Sequence, residues 1–189
     1  PLNSKIFFQE VCSGLFYKLS ACKSIEFGED IIDSTFTYSV DLDGLFSGCS
    51  SLTDLDLSSF DTSKVQCMHT MFQNCSKLIS ITFGSNFNTR DVTIMDYMFS
   101  GCSSLISLNL SNFDTSKLEI MQEMFSQCSN LENITFGDRF VTTAVTDGSG
   151  FQNVFAGCSK LTNLDLSTFS LNFTSNADQA TGIFTGCEK

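Results

Sequence analysis

Met98-Phe-Ser-Gly-Cys-Ser-Ser-Leu-Ile-Ser-Leu-Asn-Leu-Ser-Asn-Phe-Asp-Thr-Ser-Lys-Leu-Glu-Ile-Met-Gln-Glu123 is one copy of a unit that recurs along the whole chain. Counted from the residue before each aligned Phe, copies open at Leu15, Leu45, Met71, Met98, Met124, Val154 and Ile183, at spacings of 30, 26, 27, 26, 30 and 29 residues. Self-similarity at a period of roughly 20 to 50 residues marks a stacked array, in which each unit buries its apolar face against its neighbours. Residues 1–14 read as an N-terminal cap or the remnant of a preceding repeat, and residues 15–189 as a single repeat domain.

Each copy has two halves of different period. In the first, Val65, Met68, Met71, Phe72 and Cys75 recur in steps of three and four, which predicts a short amphipathic helix. Ser63 with Gln66, and Ser116 with Glu119, have capping-box spacing at its start. A longer helix is expected over Ser4–Ser20, capped by Asn3 or Ser4. In the second half, Leu78-x-x-Ile81-x-Phe83 and Leu105-x-x-Leu108-x-Leu110 alternate as a short strand with one buried face does.

Two kinds of copy alternate. Ile-x-Phe-Gly begins at Ile25, Ile81 and Ile134, and Leu-x-Leu-Ser at Leu55, Leu108 and Leu164, so the underlying period is read as two repeats. Large Phe27, Phe83 and Phe136 are thereby staggered against smaller Leu57, Leu110 and Leu166. Phe16, Phe46, Phe72, Phe99, Phe125, Phe155 and Phe184 form a column that never varies, the expected stacking spine. The register loosens at Val145–Gly150, which inserts about four residues, and at Leu171–Ala180. Helices there are expected to be shorter or shifted, and residues 31–43 to be irregular.

Nine cysteines in 189 residues raise the question of disulfides or zinc. Cys49, Cys75, Cys102, Cys128, Cys158 and Cys187 share one position, filled by Leu19 in the first copy. A position that takes Cys or Leu is an apolar packing site. Cys12 aligns with Leu42, Met68, Met95 and Met121, Cys22 with Leu52, Leu78, Leu105 and Leu131, and Cys67 with Ile94 and Ile120. No Cys-x-x-Cys pair is present, and the aligned cysteines are 26 to 30 residues apart, so no metal site or cofactor is expected. His69 lies two residues from Cys67, a spacing that does not bring two side chains together on a helix. With no converging acid, base and nucleophile, an enzyme is not expected.

The net charge of −11 disfavours nucleic acid and anionic lipid as partners. The acidity is concentrated in residues 1–61, net −7 from 10 Asp/Glu and 3 Lys/Arg, against −4 in the remainder. No apolar run approaches the roughly 18 residues that span a bilayer, so no membrane insertion is expected from this segment. Pro1 opens without a leader and Lys189 stops partway through a copy, which reads as a segment of a longer protein.

The Leu-x-x-Leu-x-Leu columns resemble a leucine-rich repeat. More closely, Met-Phe-Ser-Gly-Cys-Ser-Ser-Leu at 98–105 and Leu-Ser-Asn-Phe-Asp-Thr-Ser-Lys at 110–117 resemble the 26-residue repeats of BspA-like bacterial surface proteins, also found in mycoplasma surface lipoproteins. The Ile-x-Phe-Gly copies depart from the usual Leu-Ser-x-Phe-Asp-Thr form. The expected fold is thus an α/β solenoid, a leucine-rich-repeat-like right-handed coil with a parallel strand ladder on one face and short helices on the other. The resemblance implies an extracellular or cell-surface location and adhesion to a host or cell-surface protein or carbohydrate. It brings no catalytic residues.

A ligand of such a coil would meet the exposed strand positions. One column is Glu26, Asp56, Thr82, Asn109, Thr135 and Asp165, and its neighbour is Ser24, Asp54, Ser80, Ser107, Asn133 and Asn163. These twelve residues are the candidate partner-binding face of a non-enzymatic module. The alternative is a structural spacer whose polar wall is simply solvated and holds another region of a longer protein away from the cell.

Overall fold

The structure, a computed structural model, describes residues 12–27 and 40–187. Most of the Ser4–Ser20 helix and of the 31–43 stretch lies outside these residues. Consecutive repeats are stacked as layers, each held to the next by backbone bonds that join residues one repeat apart. The Phe column is continuous. Neighbouring rings from Phe16 through Phe46, Phe72, Phe99, Phe125 and Phe155 to Phe184 lie 5.3–5.7 Å apart and within 12° of parallel. Phe46, Phe72, Phe99, Phe125 and Phe155 are fully buried, and each such ring contributes about 1.5–3 kcal/mol by leaving water.

Six strands occur. They are β1 Val40–Asp41, β2 Asp54–Leu57, β3 Val65–Cys67, β4 Ser80–Phe83, β5 Ser107–Leu110 and β6 Asn133–Phe136. β2 pairs parallel with β4 and β5 with β6, each in register and one repeat apart. In β2 and β5 the leucines are buried and the residues between them exposed, the alternation expected of a strand with one face on the core.

The short helices expected beside this ladder are absent among the described residues. Val65–Cys67 is strand β3, paired parallel with β1, and Cys67, Ile94 and Ile120 continue a second ladder as isolated bridges. The residues after it form successive tight turns. Met71 donates its N–H to Met68, Gln73 to Thr70 and Cys75 to Phe72, each three residues back. The N–H groups of Phe72 and Asn74 leave the layer, reaching the Met98 and Ser100 carbonyls at 2.9 and 2.8 Å. An α-helix is prevented by left-handed residues in the turns. Thr70, Asn74, Tyr97, Glu123 and Gln127 have φ of 52–61°, and Gly44, Gly48, Gly101 and Gly157 occupy equivalent positions with φ of 59–77°. A positive φ at the third residue is what a type II turn requires. The apolar spacing therefore gave the buried residues correctly, since Val65, Met68, Met71, Phe72 and Cys75 are all fully buried, but not their conformation. The described part of the Ser4–Ser20 helix is likewise turn, with Leu15 and Leu19 exposed. Without a helix there is no capping box. The N–H groups of Ser63 and Ser116 bond instead to Asp61 and Asp114 Oδ1 at 2.9 and 3.1 Å. The irregular copies contain single 3-10 turns, Gly148–Phe151 and Ala177–Gln179.

The alternation of repeat types sets the pairing. A Leu-x-Leu-Ser layer pairs fully with the Ile-x-Phe-Gly layer after it, as β2 does with β4 and β5 with β6, whereas β4 and β5 belong to separate two-stranded sheets. Gly84 and Gly137 allow the close side of this arrangement, because a Cβ at either would collide with the backbone of Ser58 or Ser111 in the preceding layer. The bulky Phe83 and Phe136 reach the other way, to Phe113 and Phe169 of the following layer at 5.1 and 5.2 Å. The two-repeat period is thus visible in both packing and hydrogen bonding.

Two ladders of buried polar groups cross the layers. Cys49, Cys75, Cys102, Cys128, Cys158 and Cys187 each donate the thiol to the carbonyl of the preceding layer's Phe at 3.0–3.1 Å. Cys22, Cys49, Cys67, Cys75, Cys102, Cys128 and Cys158 are free thiols. The second ladder is threonine. Thr62 Oγ1 donates to the Asn88 carbonyl and accepts the Asn88 N–H, at 2.7 and 2.6 Å. Thr89 does the same with Asp114, both at 2.9 Å.

Candidate functional site

All twelve residues of the expected face are exposed. Strand register brings eight of them into facing pairs, Asp54 with Ser80, Asp56 with Thr82, Ser107 with Asn133 and Asn109 with Thr135. Asn163 is bridged to Asn133. Ser24 and Glu26 lie outside the strands, beside Lys23, whose carbonyl accepts a long 3.4 Å bond from Thr53.

Several of these side chains are already engaged. Asp54 accepts a 2.6 Å hydrogen bond from Ser80 across the ladder, and this hydroxyl, with Thr53, lowers its carboxyl pKa. Asp56, Asn109 and Asp165 each accept the N–H of the serine two residues on, at 2.9–3.0 Å, closing the turn that follows the strand. The residue between the two leucines therefore has a local job in every Leu-x-Leu-Ser layer. Sequence reasoning passed over Ile79 and Ile106, which border the wall in adjacent layers and are 45% and 47% exposed.

The strand ladder continued by Cys67, Ile94 and Ile120 borders a cleft of about 530 Å³. Its polar lining is Asp96, Glu119, Gln122, Thr146, Asp147 and Ser149, and its remaining surface is Ile120, Ala144 and Gly150. Residues 144–150 come from the copy with the Val145–Gly150 insertion, so this concavity occurs at one place along the stack. Asp147 is held by Ser149 N–H and Oγ on Oδ1, at 2.9 and 2.6 Å, and by Ser175 and Asn176 on Oδ2, at 3.0 and 2.9 Å. These donors lower its pKa to about 2. Asp96 Oδ1 is buried, 2.8 Å from His69 Nδ1. The insertion was legible in the sequence, but the cleft was not, since it requires residues from three layers.

His69 Nδ1 contacts Asp96 Oδ1, and Cys67, two residues away along the chain, is the nucleophile to weigh beside that pair. Burial pushes the Cys67 thiol pKa up; a hydrogen bond with the His69 backbone opposes this in part, and the carboxylates of Asp41, Asp43 and Asp96 add to the rise. A nucleophilic cysteine needs the opposite, an electropositive setting that favours thiolate. Among the described residues, no group of three or more His, Cys, Asp or Glu could hold a metal ion, and no helix is long and apolar enough to cross a membrane.

No curated protein matches the chain. The crystal structure of a T. pallidum leucine-rich repeat protein is similar at 21% identity over 71% of this chain and 76% of that one, with a TM-score of 0.31. Residues 40–163 and 79–189 match the family described as "Mycoplasma protein of unknown function, DUF285". These two matches overlap and together run from residue 40 to 189, so the chain belongs to that mycoplasma family, in keeping with the resemblance of its repeats to those of BspA-like surface proteins.

Proposed function

We propose that this chain is a non-enzymatic binding module of a bacterial surface or secreted protein. In this reading the repeat domain is one continuous right-handed solenoid that presents its polar strand wall to a host or cell-surface protein or carbohydrate. The observation that carries the reading is the register of that wall. Asp54, Asp56, Ser80 and Thr82 face one another on paired strands, as do Ser107, Asn109, Asn133 and Thr135, over a core of fully buried leucines and phenylalanines. A rigid base of this kind fixes the spacing of many shallow contacts, which lowers the ordering cost of binding. Adhesion and surface location are supported by the family resemblance.

The test is a glycan and host-protein array probed with the purified chain and with the double variant Asp54→Lys, Asp56→Lys. Binding by the parent and its loss in the variant is the expected outcome. Equal binding by both would place the contact elsewhere. The spacer reading is favoured by the local hydrogen bonds of Asp56, Asn109 and Asp165, which give those residues a structural role without any partner. Excising residues 71–123, two whole repeats, would then change only reach, whereas loss of attachment would speak for binding.

A further inference from the structure

We propose that the wall's partner is a protein, and that it docks on Ile79 and Ile106 with an apolar side chain flanked by lysine or arginine. This rests on the wall being a binding face and chooses between the two partner classes left open there. Ile79 and Ile106 hold the same position of the repeat, next to Ser80 and Ser107, where the other described layers have Lys23, Thr53, Glu132 and Thr162. Their layers are neighbours, with the spine rings of Phe72 and Phe99 5.3 Å apart. A single exposed isoleucine is ordinary. Two in adjacent layers, 45% and 47% exposed at a place otherwise polar, form an apolar centre with a polar rim, the arrangement in which interface anchors are found.

The wall parts at this point. Ile79 donates its N–H to the Thr53 carbonyl at 2.8 Å, and the Ile106 carbonyl accepts the Glu132 N–H at 2.9 Å, so each isoleucine is tied to the layer on its far side. Among the described residues no backbone hydrogen bond joins Ile79 to Ile106, and β4 and β5 lie in separate sheets. The equivalent junctions, Lys23 with Thr53 and Glu132 with Thr162, are bridged by long 3.4 Å bonds. The wall therefore loosens at each passage from an Ile-x-Phe-Gly to a Leu-x-Leu-Ser layer, and of these three junctions this one carries an aliphatic side chain on both lips. Phe83 spans it to Phe113 at 5.1 Å, so the core is continuous where the wall is not.

The rim selects the rest of the ligand. In the column of the isoleucines and the two wall columns beside it, the charged residues are Glu26, Asp54, Asp56, Glu132 and Asp165 against Lys23 alone. Lys77 lies outside these columns, two residues before Ile79. Asp54 and Asp56 flank the patch from the preceding layer, and Glu132 from the following one. Hydrogen bonds from Ser80 and Thr53 to Asp54, and from Ser58 to Asp56, lower their carboxyl pKa values, so both are anionic at neutral pH. Basic groups around the partner's anchor complement this field and are steered toward it. The three columns contain no aromatic residue, and the isoleucines lack the flat faces on which sugar rings stack, so the patch fits a protein side chain better than a carbohydrate.

The experiment follows the amide NMR spectrum of the isotope-labelled chain during titration with three probes: a short peptide alternating lysine and leucine, the same peptide with serine for leucine, and maltohexaose. The lysine-leucine peptide is expected to shift the signals of Ser80, Ser107 and their neighbours saturably, with the other two probes about fivefold or more weaker. Ile79→Thr with Ile106→Thr, and separately Asp54→Asn with Asp56→Asn, should each weaken that peptide about fivefold or more. Leu171→Thr, which removes a 55% exposed leucine outside the wall columns, should not. Thr53, Asn133 and Asn109 already hold the equivalent positions, so these substitutions suit the layers, and the parent-like spectrum of each variant checks its folding. Equal binding of the serine peptide, stronger binding of maltohexaose, no effect of the isoleucine variant, an equal effect of Leu171→Thr, or no binding at all would each overturn the proposal. The wall reading is judged apart from this, by array binding that is lost in the Asp54→Lys, Asp56→Lys variant.

Discussion

Cys102 Sγ donates to the Phe72 carbonyl at 3.1 Å, and that same carbonyl accepts the Cys75 N–H of its own layer at 3.1 Å. One buried oxygen thus ties the turn within a layer to the layer that follows. Replacing Cys102 with Ala would remove the cross-layer donor and leave a void the size of a sulfur atom. We expect a loss of about 1–2 kcal/mol in urea unfolding. An unchanged midpoint would mean that the thiol only fills space another group can fill.

The thiol ladder also makes stability fall at high pH. Burial pushes the thiols of Cys75 and Cys158 from 9.0 up to about 12, and those of Cys102 and Cys128 well above 9.0. The folded chain then keeps protons that the unfolded chain releases. This contribution is intact below pH 9.0 and is lost as pH rises toward about 12, by about 1.4 kcal/mol per pH unit for each such thiol. Thermal unfolding between pH 8 and 11 checks the sign, and a midpoint that does not drop above about pH 9 would contradict it.

Thiol labelling of the native chain should begin at Cys22, Cys67 and Cys187, which are partly accessible, and spare the six buried cysteines. Denaturant without reductant should expose all nine thiols. A markedly lower count after unfolding would show bridges in the protein.

Thr89→Val keeps the shape of a fully buried side chain while removing both its bonds to Asp114, leaving that residue's N–H and C=O unpartnered. The expected cost is about 2 kcal/mol. Thr89→Ser, which retains the hydroxyl, should recover most of it in the same urea titration.

The two roles of glycine in the stack can be separated by substitution. Gly137→Ala puts a Cβ into the Ser111 backbone, where neither atom can move without parting β5 from β6, so a loss above about 3 kcal/mol is expected. Gly101→Ala meets mainly the Asn74 side chain, which can turn away, and its cost is chiefly that of a left-handed alanine at φ 76°, about 1 kcal/mol. Similar melting temperatures for the two variants would refute the distinction.

Much of this was legible in the residues. The Phe column, the buried columns of cysteine and the alternation of Leu-x-Leu-Ser with Ile-x-Phe-Gly all mark positions where equivalent side chains meet layer on layer. The helix over Val65–Cys75 was misread because steps of three and four describe a row of three-residue turns as well as a helix. A cue was present in Gly48, Gly101 and Gly157, two residues after the invariant Phe, where glycine tolerates φ above zero at little cost. Asn74 and Gln127 at the same position, also left-handed, blurred it. The threonine ladder was overlooked because Asp-Thr-Ser reads locally as a turn, and only the next layer shows where the hydroxyl goes.

The sequence by itself determined the repeat, its period, the inward-facing residues and the family, because a stack needs the same apolar group at the same place in every layer. Tertiary structure decided the rest. It sent the backbone N–H groups of the Phe72 turn to the neighbouring layer instead of along a helix, gave Asp56 and Asn109 turns to close, and set Asp96, Glu119 and Asp147 around one cleft. Each of these depends on which group in the adjacent layer lies within hydrogen-bond reach, and that is fixed by the separation and register of layers some 26 to 30 residues apart along the chain.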